Sequence, residues 1–232
     1  MIKLIKLEIK KYKLKRYIKT SIIANFIILA FIIFINYTSK FENEIAMESY
    51  SRVFMAIDTF VTVTFIIFAS VLISRLVIGE YKDKTITTLF MYPIDRKKLL
   101  VAKLSIVVIF TFTTIIISNL FLGISFYFID QLVHFIPEGL TIDMIIKNSI
   151  NIIFHAFTSA FISLISLYFG MRKKSSASTI ISASIIASII CSNGNNGFQL
   201  NSIVAVSLSL AAIGAFISYM CIRNIEHIDV VS

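Results

Sequence analysis

The sequence predicts an all-α membrane protein: six transmembrane helices behind an N-terminal interfacial helix, with both termini cytoplasmic. Three observations carry this. Hydrophobic residues make up 57% of the chain and the mean hydropathy is +0.88, well beyond the roughly 45–50% apolar content of soluble domains. The apolar runs are about 20 residues long, the length a helix needs to cross a hydrocarbon layer about 30 Å thick. Runs such as FIILAFIIFI at 26–35 do not alternate, whereas the strands of a closed barrel, the other fold that satisfies its backbone in lipid, do.

The expected spans are 18–37, 60–78, 104–129, 150–169, 177–192 and 202–222. An arm at 1–17 precedes this transmembrane domain (18–222), a coupling segment at 79–103 interrupts it, and a tail at 223–232 follows. Of the 22 Lys and Arg, only Lys40, Arg52 and Lys147 fall on one side. The rest gather in the arm, the second and fourth connections and Arg223, and by the positive-inside rule that side is cytoplasmic. The net charge of +9 is therefore a topology signal, strung along membrane boundaries with no nucleic-acid-reading motif.

In the arm, Leu4, Leu7, Leu14 and Ile18 share one side and Ile2, Ile5, Ile9 and Tyr12 another, with Lys3, Lys6, Lys10 and Lys13 between them. That pattern suits a helix in the headgroup layer, where its lysines can hold anionic lipid. Because a long basic arm precedes the first span and no small-residue cleavage site follows it, the span reads as a retained helix. Connections 38–59 and 130–149 hold Asp58, Asp130, Glu138 and Asp143 but are too short to fold into an outer domain. Cys191 and Cys221 belong to opposite membrane faces and cannot pair.

Small residues recur at helical spacing in the fifth span: Ser178 and Ser182, Ser184 and Ser188, Ala183 and Ala187. Such faces let helices approach closely in lipid, as internal packing or as a seam between subunits. His134, His155 and His227 lack metal-ligand spacing. His155, inside a span, reads as a packing or hydrogen-bonding group. Apart from Asn25, Asn119 and His155, the span interiors read as aliphatic, aromatic and hydroxyl-bearing, which argues against ion coupling and intramembrane hydrolysis.

The polar insert IGEYKDKTITTLFMYPIDRKKLLVAK at 78–103 also carries a periodic apolar face. Asp83 can cap a short helix over 84–92, Pro93 stops it, and Asp95 can cap the helix running into the third span. The short helix presents Ile86, Leu89 and Phe90 together, with Met91 beside them. These anchors suit either a partner's groove or the membrane surface.

The pattern Glu80, Thr85, Leu89, Pro93, Arg96, ending at Lys103, resembles the cytoplasmic insert of type-two ABC transporter permeases, and the whole plan is similar to their lantibiotic and bacitracin resistance branch. Lys84 and Asp95 depart from the glycine and serine common there. The resemblance implies that Glu80 orients the insert, that Thr85, Ile86, Leu89, Phe90 and Met91 meet an ABC ATPase, and that Arg96 holds an acidic group on it. It also implies a second permease copy or paralogue and the bacterial cytoplasmic membrane. No phosphate loop occurs in the chain; GMRKKSSAST is the nearest string. The chain is thus expected to be no enzyme and to hold no cofactor, with ATP and Mg on the partner. The expected function is the permease of an exporter of hydrophobic or antimicrobial peptides or lipid-like cargo, serving export, self-immunity or resistance. The alternative is an ion-coupled secondary transporter.

Overall fold

The computed structural model describes residues 2–12, 15–41, 49–82, 96–133, 136, 139–191 and 204–224. Among them every regular element is helical: α1 Ile2–Lys11, α2 Lys15–Phe41, α3 Tyr50–Ile73, a π-helical turn Ser74–Ile78, α4 Gly79–Lys82, α5 Arg96–Val133, α6 Ile142–Ile162, α7 Ile165–Lys173, α8 Ser176–Cys191 and α9 Val204–Asn224. Five stretches are long and apolar enough to cross a membrane: Arg16–Thr38, Tyr50–Ile78, Lys97–Val133, Ile142–Lys173 and Val204–Arg223. The sixth, α8, has 16 residues. The chain is a multi-pass membrane protein. The short helix expected at 84–92 lies outside the described residues.

α3 is the hub, in contact with α2, α5, α6, α7 and α8. α2 and α9 lie at the periphery, with Phe26, Ile27, Phe34 and Phe216 turned outward, where hydrocarbon replaces a protein neighbour at no cost. The two largest apolar clusters lie toward the two ends of the bundle. One cluster gathers Leu72, Leu76, Leu100, Leu104 and Leu167 under Ile5 and Tyr12 of the arm. The other gathers Val53, Ile57, Ile115, Leu122 and Phe126 under Leu140 and Met144. Cys221 packs beside the first cluster, and both thiols are free.

Three helix boundaries differ from the sequence reading. α3 begins at Tyr50, ten residues before the expected 60, and α6 begins at Ile142, eight before the expected 150. α5 starts at Arg96, as expected for a helix that follows Asp95, but runs to Val133, four residues past the expected 129. Polar residues at the helix ends hid these turns from a hydropathy reading, because a helix can extend beyond the hydrocarbon or turn its polar face inward. Asp58, assigned to a connection, is therefore inside the bundle.

The fourth span is broken. Between α6 and α7 the ladder tightens to three-residue bonds, with Leu164 N–H donating to the Phe161 carbonyl at 3.0 Å and Leu167 N–H to the Leu164 carbonyl at 3.0 Å. Ser163 and Ser166 add hydroxyl bonds to the Ala160 and Ser163 carbonyls, both at 2.8 Å, the kind of back-bonding that bends helices. α9 crosses here at Gly214. A methyl group on Gly214 would sit 2.1 Å from the Phe161 carbonyl oxygen, so the break and the glycine together permit backbone contact. After α7, Lys174 takes a left-handed conformation with φ 46°, and its neighbour Ser175 donates to the Gly170 carbonyl at 3.3 Å, closing the turn into α8. We expect Gly214→Ala to destabilise the bundle by about 1–3 kcal/mol through overpacking, read as a lower thermal midpoint in detergent. An unchanged midpoint would contradict this contact.

Candidate functional site

Both flanks of the insert meet in one charged knot. The π turn adds a residue to the helical repeat, which rotates the residues after it by about 100° relative to an uninterrupted α-helix. Glu80, on α4, is thereby turned into the bundle and is buried. Lys103, two turns into α5, is also buried. Its ammonium donates to Glu80 Oε2 and, at 2.8 Å, to the Leu76 carbonyl within the π turn. One side chain thus satisfies both a carboxylate and a backbone group at a helix irregularity.

The arm closes the knot from the other side. Lys11 donates to Glu80 Oε1 at 2.8 Å and the Tyr12 hydroxyl donates to the same oxygen. Burial would raise the Glu80 pKa, but the Lys103 charge and hydrogen bond, with those of Lys11 and Tyr12, outweigh it and hold the carboxyl below its ordinary value. The Tyr12 hydroxyl is pushed the other way by burial and by the carboxylate it faces. Glu8, one turn before Tyr12, is buried in the same place, and among the described residues its Oε2 has no hydrogen-bond partner. Burial raises the Glu8 pKa despite the nearby Lys103 and Lys11.

Of the residues singled out in the insert, Glu80 is in the knot, and Arg96 opens α5. Thr85, Ile86, Leu89, Phe90 and Met91 lie outside the described residues. Ala183 and Ala187 are buried against Ile66 and Val63 of α3. The Ser182, Ser184 and Ser188 hydroxyls return to carbonyls of their own helix at 2.8–2.9 Å, and Ser178 reaches the Phe169 carbonyl at 3.5 Å. The sequence reading missed Lys11 and Tyr12 as partners of Glu80 and Glu8 as a second buried acid beside them. The signal was present: Glu8 is the single acid in a basic arm, and Glu8, Lys11 and Tyr12 share a face at i, i+3 and i+4.

A second polar centre corrects the expectation of a nearly chargeless interior. Asp58 of α3 is 7% exposed, with Oδ2 2.5 Å from His155 Nδ1 on α6 and Oδ1 accepting from Asn119 of α5 at 3.2 Å. It lines a cavity that opens between α3 and α6 at the end remote from the arm. Among the described residues no group of His, Cys, Asp and Glu is arranged to hold a metal.

A family model described as ABC-2 family transporter protein matches residues 4–192. The uncharacterized protein YcbO of Bacillus subtilis (strain 168) is 44% identical over 226 residues, 97% of this chain and 99% of the relative. No solved structure matches the chain.

Two predictions arise from the knot. Lys103→Met leaves a buried carboxylate and the Leu76 carbonyl short of a partner and should cost about 3–5 kcal/mol; pairing it with Glu80→Gln should recover much of the loss in a thermal melt. The lowered Glu80 pKa means that its ionised form stabilises the fold above its ordinary value of 4.5, a contribution lost as pH falls through the depressed value. Glu8 has the opposite sign: its raised pKa means that folding penalises the ionised form, a penalty that grows as pH rises above the ordinary 4.5 and is complete above the raised value. Glu8→Gln should therefore slow amide exchange across 4–12 at neutral pH, and faster exchange would refute the assignment.

Proposed function

The chain belongs to the ABC-2 transporter family, and from that premise we propose that it is the permease subunit of an ATP-driven exporter, worked by a separate ABC ATPase. One observation supports the mechanical part of this reading: Glu80 near the start of the insert and Lys103 at its end are bonded to each other, and Glu80 is bonded to the arm through Lys11 and Tyr12. A push on the insert then reaches α3 and α5 together rather than bending one helix end. The charge bias supports a cytoplasmic position for this end.

The docking face in this reading is Ile86, Leu89, Phe90 and Met91, with Thr85 and Arg96 at its margins. Closure of two ATPases, each holding ATP and Mg, would move α3 and α5 of a permease pair and change which face of the membrane the interior opens to. The cargo proposed is a hydrophobic or antimicrobial peptide or a lipid-like molecule, handled for export, self-immunity or resistance in a bacterial cytoplasmic membrane.

A second reading, an ion-coupled secondary transporter, draws support from the Asp58 and His155 pair, since ionisable groups inside a membrane bundle commonly serve ion pathways. Extraction from the native host separates the two. We expect an ABC ATPase to co-purify with the wild-type chain and to be lost with Leu89→Glu, while insertion into the membrane is unchanged. Isolation of the wild-type chain without any nucleotide-hydrolysing subunit would favour the second reading.

A further inference from the structure

We propose that the cavity between α3 and α6, remote from the arm, binds an organic ammonium with a small apolar body, anchored by Asp58 and His155. This deepens the permease reading by naming a ligand class for the bundle, and it is testable without an ATPase. The cavity measures about 540 Å³, within the roughly 300–1,000 Å³ of small-molecule sites.

Its floor accepts hydrogen bonds. A carboxylate offers about four acceptor positions, and Asp58 uses one on each oxygen, toward His155 and Asn119, which leaves acceptor capacity on the cavity side. His155 engages Asp58 through Nδ1, and among the described residues its Nε2 has no hydrogen-bond partner. When Nδ1–H is donated to the carboxylate, Nε2 presents a lone pair. Two acceptors, one of them charged, thus line a space walled by Phe54, Met144 and Phe154. Aromatic and thioether walls suit both a cation and an apolar body.

The sign of the ligand charge follows from the remaining groups. α6 places Asp143, Lys147, Asn151 and His155 at four-residue steps along the cavity, so Lys147 stands two turns above the floor and is exposed. Among the described lining residues, an anion meets that one lysine before facing the buried Asp58, whereas an ammonium finds Asp143 at the mouth and Asp58 at the floor. The same chemistry is offered by a free amine and by the ethanolamine headgroup of a lipid.

Phenethylamine is the probe, titrated by calorimetry into the full chain in phosphatidylcholine nanodiscs, with empty discs subtracted. We expect binding at least about tenfold tighter than that of 2-phenylethanol or N,N,N-trimethylphenethylammonium, the equivalent of about 1.4 kcal/mol, because the first lacks the charge and the second lacks N–H donors. Asp58→Asn should remove that preference. In case this variant fails to fold, the exposed mouth residues give an independent answer: Asp143→Asn should weaken binding and Lys147→Ala should tighten it, each by about threefold. Loss of the phenethylamine signal in discs containing phosphatidylethanolamine would identify the lipid headgroup as occupant and leave the site chemistry standing. Equal binding of amine and alcohol, or no opposite response at Asp143 and Lys147, overturns the proposal. Neither outcome bears on whether an ATPase docks at the insert.

Discussion

The ion pair between Glu80 and Lys103 is the constraint that everything at the arm end depends on. A buried pair rarely stabilises a fold relative to apolar residues of the same volume, because both charges must leave water. Its consequence here is geometric. Glu80 can reach Lys103 only because a π turn re-aims the end of α3, and Lys103 in turn satisfies the Leu76 carbonyl within that turn. Removing Lys103 therefore leaves a backbone carbonyl unsatisfied as well as breaking the charge pair. Lys11 and Tyr12 then extend the same network to α1, so three segments far apart in sequence share one anchor.

The opposite end uses the same device with different groups. Asp130, in the last turn of α5, accepts from the Tyr50 hydroxyl at the start of α3 and from the Ile136 backbone at 3.1 Å. Between the two ends, Asp58 ties α3 to α5 and α6 through Asn119 and His155. α3 thus contributes to a polar tie near each end and to one between them, and these ties fix its rotation where apolar packing alone leaves neighbouring registers close in energy. Small residues set the remaining contacts: Ala183 and Ala187 bring α8 onto α3, and Gly214 brings α9 onto the broken fourth span. In lipid, where apolar transfer does not distinguish one helix neighbour from another, close packing and hydrogen bonding carry the specificity.

The helical spans, their approximate number and the segregation of basic residues were legible in the chain because they depend on local composition. Span ends were less so. Asp58 looked like a loop residue beside a hydropathy boundary at 60, yet α3 continues to Tyr50 because the carboxylate turns inward to His155. The arm was legible as an amphipathic helix, and Ile5 with Tyr12 as one of its faces. That Glu8 belongs to that face was obscured by the lysines around it.

Amino-acid sequence by itself determined that this chain crosses a bilayer as helices and carries a polar insert between the second and third, since twenty apolar residues in lipid leave the backbone no other economical arrangement. Only tertiary structure decided which charges are paired. Glu80 finds Lys103 after 23 residues and Asp58 finds His155 after 97, and such pairing is set by helix rotation and packing, which no local pattern encodes.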